Sequence, residues 1–195
     1  MSDRASGNFI ATVRLLAGIV RFRKGPEDLP VSRTLLACCV LAGIGVRLLL
    51  VRMVPLPLAT NPLALFAVDA GATLLFVLAV LLLARHPERF LQTATAIFGY
   101  QLLLLPPQAL AVWLYSGVGN NPLLQAVAIV LSIALNIWAL AISARILQSA
   151  TGWGLFACVV LAIAGELLTL VMLLSVFPAL GGSALPAAAS APVSA

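Results

Sequence analysis

Residues 63–84 read LALFAVDAGATLLFVLAVLLLA, a run of 22 residues broken by one charge, Asp69, and closed by the cluster Arg85-His86-Pro87-Glu88-Arg89. A bilayer core of about 30 Å is crossed by roughly 20 apolar residues of helix. This stretch meets that length, and the charged pentapeptide after it reads as a tight hairpin whose Pro87 opens the next helix.

Working outward, four more runs of the same kind appear, at about 34–54, 90–115, 123–144 and 153–177. The connection 55–62, PLPLATNP, holds three prolines and suits a turn. The 116–122 connection carries no charge, and Ser149-Ala150-Thr151-Gly152 follows Arg145 at the end of the fourth run. Pro106-Pro107 falls inside the third run and is expected to kink or divide it. Only 9% of the 195 residues are charged and 63% are apolar, too little charge for a water-facing shell. The fold expected is all-α: a polytopic membrane domain over residues 34–180 with five transmembrane helices.

Lysine and arginine gather where the positive-inside rule places the cytoplasm. Arg4, Arg14, Arg21, Arg23, Lys24 and Arg33 precede the first span, Arg85 and Arg89 lie in the second connection and Arg145 at the fourth. The first and third connections and the tail carry none, with Arg52 the chief exception. The expected orientation is amino terminus in the cytoplasm and carboxyl terminus in the periplasm. Ten arginines against one lysine suggest a bacterial genome and the inner membrane.

The basic arm, residues 1–33, places Phe9, Val13, Leu16 and Val20 along one helical face with Arg14 and Arg21 opposite, the pattern of an amphipathic helix lying at the interface. The cluster Arg21-Phe22-Arg23-Lys24 stands where a signal-peptide cleavage site would need small residues, so the arm is expected to be retained. Pro26-Glu27-Asp28-Leu29-Pro30 then turns the chain into the membrane, with Ser32 or Thr34 as helix cap. Residues 181–195, rich in Ala, Pro and Ser, are expected to be a disordered tail.

Three ionisable residues fall inside the spans: Arg47, Asp69 and Glu166. Each is costly in hydrocarbon unless paired. Arg47 and Asp69 both lie about 10 Å below the outer end of their helices by helical rise, which predicts an ion pair; Glu166, near the midplane, is placed to join it. Cys39 and Gly43 step toward Arg47, and Gly154, Cys158 and Ala162 toward Gly165 and Glu166, as small residues do where helices approach closely. A structural lock and a proton or ion relay both follow from such a cluster, and Arg47 alone has the reach to snorkel outward. A secondary polar stripe combines Gln101 and Gln108 in the third span with Ser132 and Asn136 in the fourth, where Gln125 and Ser143 share its register.

No catalytic residue is assigned. The lone His86 and Asp69 belong to opposite sides, and no nucleotide-binding glycine pattern occurs. With Cys38, Cys39 and Cys158 all inside apolar runs, no metal and no other cofactor is expected. The partners expected are the anionic headgroups of the bilayer and a further membrane protein or second copy of the chain, without nucleic acid.

Gly25-Pro26-Glu27-Asp28-Leu29-Pro30 before the first span, Phe98-Gly99-Tyr100 in the third and Ile137-Trp138-Ala139-Leu140 with Arg145 in the fourth, together with the cytoplasmic arm and five close helices, resemble the Yip1 family of small multipass membrane proteins. In that family Asp-Leu precedes a Tyr-Gly-Pro element, whereas here Gly-Pro comes first and the Tyr is missing. The resemblance implies a non-enzymatic role in organising membrane or binding membrane-protein partners. The alternative expectation is a small transporter or channel component using Arg47, Asp69 and Glu166.

Overall fold

The computed structural model describes residues 14–21, 26–53, 61–117 and 121–177. A short helix α1 (residues 14–20) and a 3₁₀ turn at Pro26–Asp28 lead into five long helices: α2 (Arg33–Met53), α3 (Pro62–Leu83), α4 (Phe90–Gly117), α5 (Pro122–Thr151) and α6 (Leu155–Val176). No strand occurs among the described residues. All five long helices have the length and apolarity to cross a membrane, so the architecture is all-α and multi-pass. The tail at 181–195 and the arm residues Phe9 and Val13 lie outside the described residues.

Each helix start has a local cause. Ser32, not Thr34, caps α2, its Oγ accepting from the Leu35 amide at 3.2 Å. On the opposite side of the membrane, α3 and α5 begin with the same device. Asn61 and Asn121 accept from the amides of Leu63 and Leu123 at 3.0 and 3.1 Å, each followed by a proline in the first turn. The 3₁₀ turn Pro87–Arg89 introduces α4 as the hairpin reading anticipated.

Two expectations change. Pro106 and Pro107 do not divide the third span: α4 runs unbroken through both, as transmembrane helices do where neighbouring helices compensate for lost backbone bonds. The fourth span does not end at Arg145 but continues to Thr151. Ile146, Leu147 and Ala150 remain buried there, while Arg145 stays exposed and donates to Gln148 Oε1 along the same helix. Gly152 ends it with a left-handed φ of 73°, its amide donating to the Gln148 carbonyl at 2.8 Å. Arg89, at the start of α4, donates to the carbonyls of Ser149 and Ala150 at 2.9 and 3.2 Å, satisfying orphan groups at that end.

Packing closes the helices into a ring. α2 lies against α3 and α4, α4 against α5, α5 against α6, and α6 returns to α3. Small residues set the close approaches. Cys39 packs with Ala70 and Phe98, joining α2, α3 and α4, and Cys158 and Ala162 pack with Val80, Ala144 and Leu147, joining α6 to α3 and α5. Gly154, by contrast, is exposed at the start of α6. Gly165 meets the Phe76 ring so closely that a Cβ there would lie 2.7 Å from Cε1.

The described arm residues form α1, with Arg14 and Arg21 exposed and Leu16 turned inward. Leu16 and Ile19 of α1 are buried in one cluster with Ile97, Tyr100, Ile142 and Ile146, and Leu16 fills the space a side chain at Gly99 would need. The described part of the arm is thus packed on the bundle, with Ile19 taking the place foreseen for Val20, which is only partly buried. A branched side chain seated over a glycine removes apolar surface from water.

Candidate functional site

Between the helices lies a partly open cavity of about 120 Å³ to which all five membrane helices contribute. Arg47 of α2 and Asp69 of α3 meet in it, the guanidinium Nη1 donating to Oδ2 at 2.5 Å. Their side chains keep 26% and 24% of their surface, so the pair is neither sealed nor at the lipid face. Phe66 lies 5.9 Å from the guanidinium carbon, a cation–π contact on its outer side. Of the two small residues stepping toward Arg47, Cys39 is buried, whereas Gly43 lines a small hollow with Arg47 and Gln101 and makes no close helix approach.

Glu166 lines the same cavity from α6 while remaining an exposed residue, so it stands at the open side of the cavity. It makes no hydrogen bond or close ion pair with any described residue, so it joins the cluster across open space and not through a shared fork of donors. Ala162, Gly165 and Thr169 complete the α6 wall. Thr73, one turn beyond Asp69, donates to the Asp69 carbonyl at 3.0 Å.

The secondary stripe separates. Gln101 lines the cavity, whereas Gln108, two turns along α4, lines a second crevice of about 190 Å³ on the far side of Arg47. Ser132 and Asn136 meet neither glutamine; the Asn136 amide donates to the Ser132 carbonyl of its own helix at 2.8 Å, and its side chain is exposed. Four residues on two helices at similar depth need a shared axis to meet, and the lines on α4 and α5 face different neighbours.

Tyr100 was legible only as part of a short resemblance, yet it is central. It is 2% exposed, and its hydroxyl meets Ser143 Oγ of α5 at 2.5 Å. A phenol at mid-membrane needs such a partner, and the seven-residue spacing of Asn136 and Ser143 was the signal that α5 had a polar group to offer. A larger hollow of about 490 Å³ opens near Glu27, Arg89 and Gln92. Arg89 is committed to the α5 carbonyls and Gln92 to the Leu29 carbonyl at 2.9 Å, so its polar walls serve structure.

Chemically the cavity holds one matched ion pair, one unmatched carboxylate, two hydroxyls in contact and room for several water molecules. Such an arrangement has the polar groups and the space to hold small polar species. Comparison with protein-family models, curated proteins and solved structures gives no match, so fold and site rest on this chain's own residues.

Proposed function

We propose that this protein is a non-enzymatic transporter or channel component of the bacterial inner membrane in which Glu166 exchanges a proton beside the Arg47–Asp69 pair. The observation that carries the reading is the unpartnered Glu166 carboxylate facing a cavity whose other charges already cancel. With Arg47 and Asp69 neutralising each other, the cavity holds one negative charge when Glu166 is ionised and none when it carries a proton. A purely structural lock would match all three charges and leave no space between them.

The test is proton flux into vesicles containing the purified protein, followed with an entrapped pH dye under an imposed potential. Glu166→Gln is expected to reduce flux at least about tenfold while Glu166→Asp retains part of it and both fold normally. Equal flux through wild type and Glu166→Gln would overturn the relay.

A second reading is Yip1-like organisation of membrane or of membrane-protein partners, in which the outward apolar side chains of α5 and α6, including Val130, Phe156 and Val171 at 67%, 83% and 62% exposure, meet lipid or a partner helix. Reproducible co-purification of one membrane protein, with no Glu166-dependent flux, would select it.

The basic residues support an orientation with the amino terminus in the cytoplasm. In a cysteine-free background, a label at Gly119 should react with an impermeant reagent added outside, and one at His86 only after permeabilisation. The reverse pattern would invert the topology.

A further inference from the structure

Helix α5 is buried mainly at one end. Among residues 122–141 only Ala128 is buried, whereas buried side chains crowd the stretch from Ile142 to Thr151. The half of α5 that begins at the Asn121 cap thus turns most of its side chains outward. Asn136 is exposed on that surface at the middle of the 30-residue helix, about 20 Å of helical rise from either end. Exposed Ile129, Ile133 and Ile137 lie around it.

The Asn136 amide nitrogen donates to the Ser132 carbonyl at 2.8 Å; its second hydrogen and its side-chain oxygen have no partner among the described residues. The cavities described above are lined by other side chains. Hydrocarbon offers these groups no hydrogen bond, and leaving them unsatisfied at mid-membrane is costly. A helix from outside this chain therefore has to supply the partner.

The amide itself selects that partner. It carries a donor and an acceptor and no charge, so two asparagines facing each other across a two-fold axis satisfy each other reciprocally. A carboxylate or a guanidinium in the same place would bring a net charge to the bilayer centre. Ile129, Ile133, Asn136 and Leu140 follow one another at steps of four, three and four residues, the 3.5-residue period that keeps one seam of a helix against another along its length. A single Asn in such an apolar seam fixes the register of the pair. Copies inserted in the same direction, as the basic residues support, bring Asn136 level with its own counterpart.

We propose that the protein self-associates through this face of α5, as a parallel two-fold dimer in which the Asn136 amides of the two copies hydrogen-bond to each other at mid-membrane. The dimer is independent of the relay, and Glu166→Gln should leave it intact.

Two measurements on full-length protein lacking Cys38, Cys39 and Cys158, reconstituted in liposomes, test it. In the first, donor and acceptor dyes on His86→Cys report energy transfer between copies as the protein is diluted with lipid. Asn136→Leu should raise the dissociation constant at least about tenfold, while Asn136→Gln, which keeps the amide, should lose much less. In the second, Asn136 stays in place, so the outcome does not depend on how its variants fold, and single cysteines at Ile133 or Ala134 are oxidised with copper phenanthroline. Both positions are exposed and share a depth but lie about 100° apart around the helix. Disulfide-linked dimer should form at least about tenfold faster at 133. Equal rates at 133 and 134, or equal dissociation constants for wild type and Asn136→Leu, would overturn the proposal. Energy transfer no greater than random mixing would do the same and leave a different membrane protein as the partner of Asn136.

Discussion

Arg47→Ala is expected to lower the stability of the folded bundle by about 3 kcal/mol, the low end of the range for breaking a buried ion pair. The low end applies because both partners keep about a quarter of their side-chain surface, 26% and 24%. Without the guanidinium, Asp69 faces Glu166 across the cavity, whose lining then holds two carboxylates and no cation. Asp69→Ala should cost a comparable amount, since it strands Arg47 over Phe66. The double variant should then lose less than the two single losses together, by at least about 1 kcal/mol. Reversible unfolding in mixed micelles measures all three. Simple additivity would mean that Arg47 gains nothing from Asp69 and snorkels toward headgroups instead.

The second large effect is expected at Gly165. A Cβ at this position would stand 2.7, 2.9 and 3.0 Å from three atoms of the Phe76 ring, and the longer side chain of Gly165→Leu enters the ring itself. The cost of such overpacking is about 1–3 kcal/mol. Because Gly165 and Phe76 hold α6 to α3, the same change should separate Glu166 from the ion pair and reduce proton flux along with stability. Adding Phe76→Ala should restore much of the stability by returning the lost volume. Gly43→Ala, which meets nothing within 4 Å, should change stability by no more than about 0.5 kcal/mol. If Gly165→Leu proves equally mild, α6 does not depend on that contact.

The span count and the Arg47–Asp69 pairing were legible because both depend on quantities that run along the chain: apolar run length, loop charge and helical rise. The bounds found for α2 and α3, Arg33–Met53 and Pro62–Leu83, lie one residue from those expected. The extension of α5 past Arg145 was hidden because an exposed arginine on a helix face and an arginine in a loop look alike in one dimension. Gly152, seven residues on, was the real stop. Tyr100, Gln101 and Ser143 share a cavity with Glu166 only because α4 inserts between α2 and α5. That order of neighbours follows from side-chain volume, as where Cys39 seats against Phe98, and no hydropathy pattern encodes it.

The closed ring also bears on how the protein is made. α2 and α3 are consecutive in synthesis and carry charges of opposite sign that meet directly, so this hairpin can pass into lipid as an electrically balanced unit. α6, the last of the five to be translated, brings the unmatched carboxylate and supplies the contacts that return to α3. A nascent chain halted before α6 thus holds a charge-balanced pair but lacks the α6 wall of the cavity and Glu166. Glu166 enters the bilayer only once the bundle around it is able to close.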